Sequence, residues 1–249
     1  MMRTSEVEVQ VARLDRLHPH EAFALLAVCD AEEHHRAARL PTTAQMRRSL
    51  LARGLLRVLL AEHVGAAPGN VALHRDTTGK LRLLGPSDVR FNLSHSRDLA
   101  VYAVSRGRDV GVDVEALDDD LDIDPILRRF FPAGEAAQLL PLHPAHRRRL
   151  FFRSWCRREA LLKAQASGLR RGLHDVAAPP PAVPATVPTP FPGDGGWSVV
   201  DLDVAAGFAA AVVTTGHDWT PSLARYQSRL PGAPTPSSVH PGRAGSEES

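Results

Sequence analysis

Asp113 and Glu115 stand two residues apart in Gly111-Val112-Asp113-Val114-Glu115, a run rich in β formers. On a strand, alternate residues leave the same face, so both carboxylates project together. About forty residues on, Trp155, Glu159 and Lys163 recur every fourth residue in Trp155-Cys156-Arg157-Arg158-Glu159-Ala160-Leu161-Leu162-Lys163. On a helix that spacing makes one vertical row. Together the strand and the helix supply three carboxylates and one ammonium. That is the chemistry of a hard divalent cation holding a phosphate-bearing substrate. Taken singly, the same residues read as a solvated strand face and a surface i,i+4 pair worth about 0.3–0.5 kcal/mol.

Only two of the thirty basic residues are lysines, Lys80 and Lys163. In a chain that otherwise uses arginine, both positions are expected to need a compact ammonium head rather than a planar fork. Upstream lies Phe91-Asn92-Leu93-Ser94-His95-Ser96. Adjacent Ser94 and His95 diverge on an extended chain, which argues against a Ser–His nucleophile pair. A hydroxyl and an imidazole there suit phosphate binding instead.

These groups need elements to hold them. Val7–Leu14 alternates as a strand, and Glu21–Leu40 reads as helix in two short pieces. Thr42 or Thr43 can cap a long helix running to His63, ended by Gly65 to Gly69. Val71–Arg75 and Lys80–Leu84 read as a hairpin about Asp76-Thr77-Thr78-Gly79. Phe91–Ser94, Ala100–Ser105 and Val110–Glu115 read as strands. The acidic run 118–124 lacks the glycine and final glutamate of a calcium loop, so a solvated turn is expected. Ile126–Phe131 and Gly134–Leu140 read as short helices, and Arg147–Ala166 as a long one ending near Gly168. Residues 177–196 hold seven of the twenty prolines and read as an exposed loop. Trp197–Asp203 and Phe208–Thr214 are further strands, and a disordered tail is expected from Gln227.

Each long helix precedes a β-rich run, with a period near 105 residues. The reading is α+β: two similar halves, 1–115 and 116–226, with a tail at 227–249 and a ligand cleft between the halves. At 249 residues the chain is long enough for a large core. The apolar fraction of 43% and charged fraction of 23% are those of an ordinary globular protein. No run approaches a membrane span, and the N-terminus lacks a signal peptide's apolar stretch. Two cysteines imply no disulfide framework and a cytoplasmic setting. A net charge of +2 without an aromatic-laced basic stripe argues against nucleic acid.

In order along the chain, Gly79-Lys80, FNLSHS, GVDVE and WCRREALLK resemble the 4'-phosphopantetheinyl transferases, above all the larger surfactin-type group. The motifs cover roughly residues 48–173, and the wider pattern reaches about residue 226. The resemblance implies a pseudo-two-fold fold of two α/β halves with the active site in the cleft between them. It implies a magnesium site (Mn²⁺ being the alternative ion) on Asp113, Glu115 and Glu159. Lys163 then contacts coenzyme A phosphates and can donate a proton. Ser94 and His95 contact coenzyme A, His95 near its 3'-phosphate; Gly79 and Lys80 line the adenine and phosphate end; Arg48 is directed at the 3'-phosphate. Departures are small: Arg158 replaces the usual lysine, and Arg97 stands where glycine often follows SHS.

The implied reaction moves phosphopantetheine from coenzyme A to a serine of an apo carrier protein and releases 3',5'-ADP. Asp113, Glu159 and Lys163 are the expected catalytic groups, with Glu159 as base, working in a monomer. Two alternatives are a non-catalytic carrier-binding adaptor and a different Mg²⁺ phosphotransferase; for the latter no GxxxxGK[ST] loop is present. Arg128-Arg129 and Arg147-Arg148-Arg149 are candidate docking charges for an acidic carrier.

Overall fold

The structure, a computed structural model, describes residues 5–166 and 172–228. Gly168, and the expected tail beyond residue 228, lie outside the described residues.

The first half opens with strand β1 (Glu6–Arg13) and two short helices, α1 (Pro19–Ala27) and α2 (Ala31–Ala37). Asp30 and Glu33 exchange side-chain-to-backbone bonds in a capping box that starts α2. Helix α3 (Thr43–Val64) begins on the Thr42 hydroxyl, which accepts the Gln45 N–H, and stops at Gly65 with φ of 67°. That left-handed conformation is the one glycine adopts without penalty. The hairpin β2 (Leu73–Arg75) and β3 (Leu81–Leu83) follows, then β4 (Val89–Ser96) and β5 (Leu99–Arg106). Arg97 in the β4–β5 turn has φ of 51°, which explains why a glycine suits this position. An arginine there carries a conformational cost.

The second half runs β6 (Val110–Ala116), α4 (Asp124–Phe130), α5 (Ala133–Leu139), α6 (Pro144–Gln165), β7 (Thr189–Pro190), β8 (Trp197–Asp201), β9 (Phe208–Thr215) and β10 (Thr220–Arg225). One sheet has the order β10-β1-β5-β4 and another β6-β9-β8-β7. Strand β6, all but its last residue inside the expected 1–115 half, therefore pairs with the second half's strands. Strand β10, inside the expected 116–226 half, pairs parallel with β1. No β10 strand was expected from the sequence. It is an edge strand with five of six residues exposed and a proline at 221, so it shows no alternation to read.

The sheets stack through Val9, Val11 and Val101 against Val112, Val114 and Val212. Helix α3 covers the outer face of the first sheet and α6 that of the second. The result is four layers, helix–sheet–sheet–helix. The sub-orders β1-β5-β4 and β6-β9-β8 match, and α3 and α6 are each 22 residues long. A buried arginine marks each half. Arg57 of α3 grips Glu33 (2.9 Å) and the Val71 carbonyl (2.8 Å). Arg158 of α6, 101 residues later, grips Glu135 and the Val176 carbonyl (3.0 Å). Each ties its long helix to a preceding short helix and to the loop that follows.

The proline-rich stretch is a strap behind α6. Arg157, fully buried, donates to the carbonyls of Pro179, Pro180 and Val183 and, through Nε and Nη2, to both oxygens of Asp201. Arg153 donates to the carbonyl of Pro181. Prolines offer carbonyls but no N–H, so a guanidinium is their natural partner.

Candidate active site

Gly111 decides how closely α6 passes over β6. A Cβ there would lie 2.0 Å from the Ala160 carbonyl oxygen and 2.5 Å from the Ala164 nitrogen. With no side chain in the way, the helix comes down on the strand, and the Lys163 ammonium sits 2.5 Å from Asp113 Oδ1. Ser94 completes the group: its hydroxyl donates to Asp113 Oδ1 at 2.9 Å and accepts from Lys163 at 3.1 Å. Glu115 accepts from the Ser96 hydroxyl at 2.9 Å.

The electrostatics follow from three carboxylates sharing one ammonium. Burial, then the Asp113 charge, pushes Glu115 up to about 7. Burial and Asp113 also raise Glu159, against the pull of Lys163. Burial disfavours the Lys163 ammonium, but the Asp113 carboxylate more than offsets it, and its pKa rises. Lost hydration, with Lys163 and Arg53 nearby, lowers His95.

A cleft of about 710 Å³ opens beside this cluster, within the range of small-molecule sites. Both halves wall it: Arg53 of α3, Arg75 and Thr78 to Leu81 of the hairpin and Asn92 of β4 on one side, Glu159 and Lys163 of α6 with His174 on the other. Of the expected residues, Gly79, Lys80, Glu159 and Lys163 line it. Asp113 (2% exposed) and Glu115 stand behind Lys163. Ser94 turns to Asp113 rather than to the cleft, and His95 is not among the lining residues. Arg48 is not brought to the cleft. It pairs with Asp15 at the exposed start of α3. Arg53 and Arg75 take the place of a cleft arginine, and their positions depend on helix rotation and hairpin docking that no spacing reveals. Lys80 lies inside the wall, 6% exposed, donating to the Val110 and Ala164 carbonyls. Burial lowers its pKa to about 8, while the two carbonyls favour the ammonium.

Arg148 donates to the carbonyls of Asp118, Asp119 and Leu121, and Arg147 to that of Leu140. Those two arginines hold the acidic turn and the helix start together. Arg128, Arg129 and Arg149 remain exposed.

Among the described residues, no three His, Cys, Asp or Glu side chains already converge as metal ligands. The donor chemistry nevertheless fits a hard divalent cation. It is all carboxylate, Asp113 Oδ2 is buried without a hydrogen-bond partner, and both glutamates are short of positive charge.

Comparison with known proteins agrees with this geometry. Residues 109–213 match the 4'-phosphopantetheinyl transferase superfamily, and residues 17–107 match the 4'-phosphopantetheinyl transferase N-terminal family. The chain is 33% identical to the 4'-phosphopantetheinyl transferase HetI of Nostoc sp. over 223 residues, 88% of this chain and 92% of the relative. It is 29% identical to a 4'-phosphopantetheinyl transferase of Bacillus subtilis, over 63% of this chain and 69% of that one. It is also 29% identical to psf-1 of Bacillus pumilus, over 67% and 66%. The chain belongs to the 4'-phosphopantetheinyl transferase superfamily.

Proposed function

We propose that this chain, acting as a monomer, transfers phosphopantetheine from coenzyme A to a serine of an apo carrier protein and releases 3',5'-ADP. The observation that carries the reading is the placement of Lys163 and Glu159 on one cleft wall directly over buried Asp113. Both walls come from one chain, so no second copy is needed to complete the cleft.

The reaction forms a bond between the serine oxygen and the β-phosphorus of coenzyme A and breaks the pyrophosphate bridge. Glu159, a carboxylate on the cleft wall, takes the hydroxyl proton. Lys163 faces the phosphates and stabilises charge on the departing 3',5'-ADP. Arg53, Arg75 and Lys163 give the cleft positive charge for a phosphate-rich ligand. Asp113, Glu115 and Glu159 would hold Mg²⁺ or Mn²⁺, which when bound neutralises pyrophosphate charge.

Incubation with fluorescent coenzyme A, Mg²⁺ and an apo carrier tests this. Label on the carrier, lost when its acceptor serine is alanine, is the expected result. Carrier binding without label would turn the reading into that of an adaptor.

A further inference from the structure

Strands β4 and β6 are neighbours at the seam between the two sheets, yet no backbone pairing joins them among the described residues. Strand β6 would therefore present a free edge, which a folded chain must satisfy in some other way. Alternate side chains of β4 supply the bonds. Asn92 Oδ1 accepts the Val112 N–H at 3.0 Å. Ser96 Oγ accepts the Ala116 N–H at 3.1 Å and donates its own hydrogen to Glu115 Oε2 at 2.9 Å. Ser94, between them, donates to Asp113 Oδ1 and accepts from the Lys163 ammonium.

Ser96 is thus held by the backbone of β6 and in turn holds a carboxylate on that strand. With its oxygen accepting from Ala116, the hydroxyl directs its hydrogen to Glu115. We infer that Ser96 is a positioning residue, which fixes the Glu115 carboxylate for a divalent cation from a strand in the opposite sheet. This rests on the reading of Asp113 and Glu115 as the cation-holding pair. It assigns the last serine of FNLSHS a role at the seam rather than in the cleft, whose lining does not include it.

The test is Mn²⁺ binding by calorimetry to the full chain without coenzyme A, for wild type, Ser96→Ala, Ser96→Thr, Glu115→Gln and the double variant Ser96→Ala/Glu115→Gln. Ser96→Ala is expected to weaken Mn²⁺ binding about tenfold. Ser96→Thr, which keeps the hydroxyl, should recover most of the loss. In the Glu115→Gln background the Ser96→Ala effect should disappear, because the two residues act as one unit. Wild-type affinity in Ser96→Ala, no recovery in Ser96→Thr, additive losses in the double variant, or no Mn²⁺ binding by wild type would each overturn the inference. Failure of phosphopantetheine transfer by wild type would overturn the proposed function alone, since the binding cycle needs no carrier.

Discussion

Lys80 donates its ammonium to the carbonyl oxygen of Ala164 at 3.0 Å, one residue beyond Lys163 on the last turn of α6. The two lysines of the chain thus meet on one turn, one from each half. Lys80 ties the β2–β3 hairpin to α6 and to the start of β6.

Replacing Lys80 by methionine would leave the Val110 and Ala164 carbonyls without this donor. A loss of about 1–3 kcal/mol is expected, read as a lower urea midpoint. Lys80→Arg should fare no better, because a planar fork does not fit the space of a compact ammonium.

Asp113→Ala and Glu159→Ala should each leave below about 1% of wild-type transfer at saturating Mg²⁺. Lys163→Arg keeps the charge but loses the point geometry at Asp113, and a fall of at least about tenfold is expected. Gel labelling of an apo carrier measures all three.

Gly111→Ala would set a methyl group against backbone atoms of Ala160 and Ala164, which cannot swing aside as a side chain does. The helix must lift, moving Lys163 off Asp113. A destabilisation of about 1–3 kcal/mol with loss of transfer should appear in thermal unfolding and in the same gel assay.

Asp76 anchors the hairpin turn that carries Gly79. Burial works against its charge, but bonds from the Thr78 hydroxyl and N–H, Arg82 and the Lys80 N–H bring its pKa down to about 2. A carboxyl lowered from 3.8 stabilises the fold above that value, and this contribution fades as pH falls from 3.8 towards 2. Asp76→Ala should therefore be less stable than wild type at pH 7, and the gap should narrow in denaturant titrations near pH 2.

Arg157→Met would strip Asp201 of its main counter-charge and release the strap carbonyls. About 3 kcal/mol of lost stability is expected. Faster proteolysis between residues 177 and 185 would mark the strap's detachment.

The chemistry was legible in the sequence where it was local. Asp113 and Glu115 on a strand and Glu159 and Lys163 on a helix follow from periodicity, and the Asp76 turn from its residue types. What stayed hidden depends on which strands meet. Ser94 reads as a ligand contact from its motif, yet it faces β6 because β4 docks on that strand's edge. Nothing in the spacing of Arg157 and Arg158 marks them as buried, and only the wrapped strap and α5 show why both are. Arg53 needed the rotation of α3 to be known.

The parallel pairing of Glu6–Val11 with Thr220–Arg225 has a consequence for how the chain reaches its native state. The first sheet borrows its outermost strand from the far end of the sequence. While the protein is being synthesised, β1 must wait with an unpaired edge until more than two hundred further residues have emerged. Closure of so long a loop is slow, and an open edge invites pairing with other chains. Completion of the first sheet is thereby a late event, and the two halves finish folding together rather than in turn.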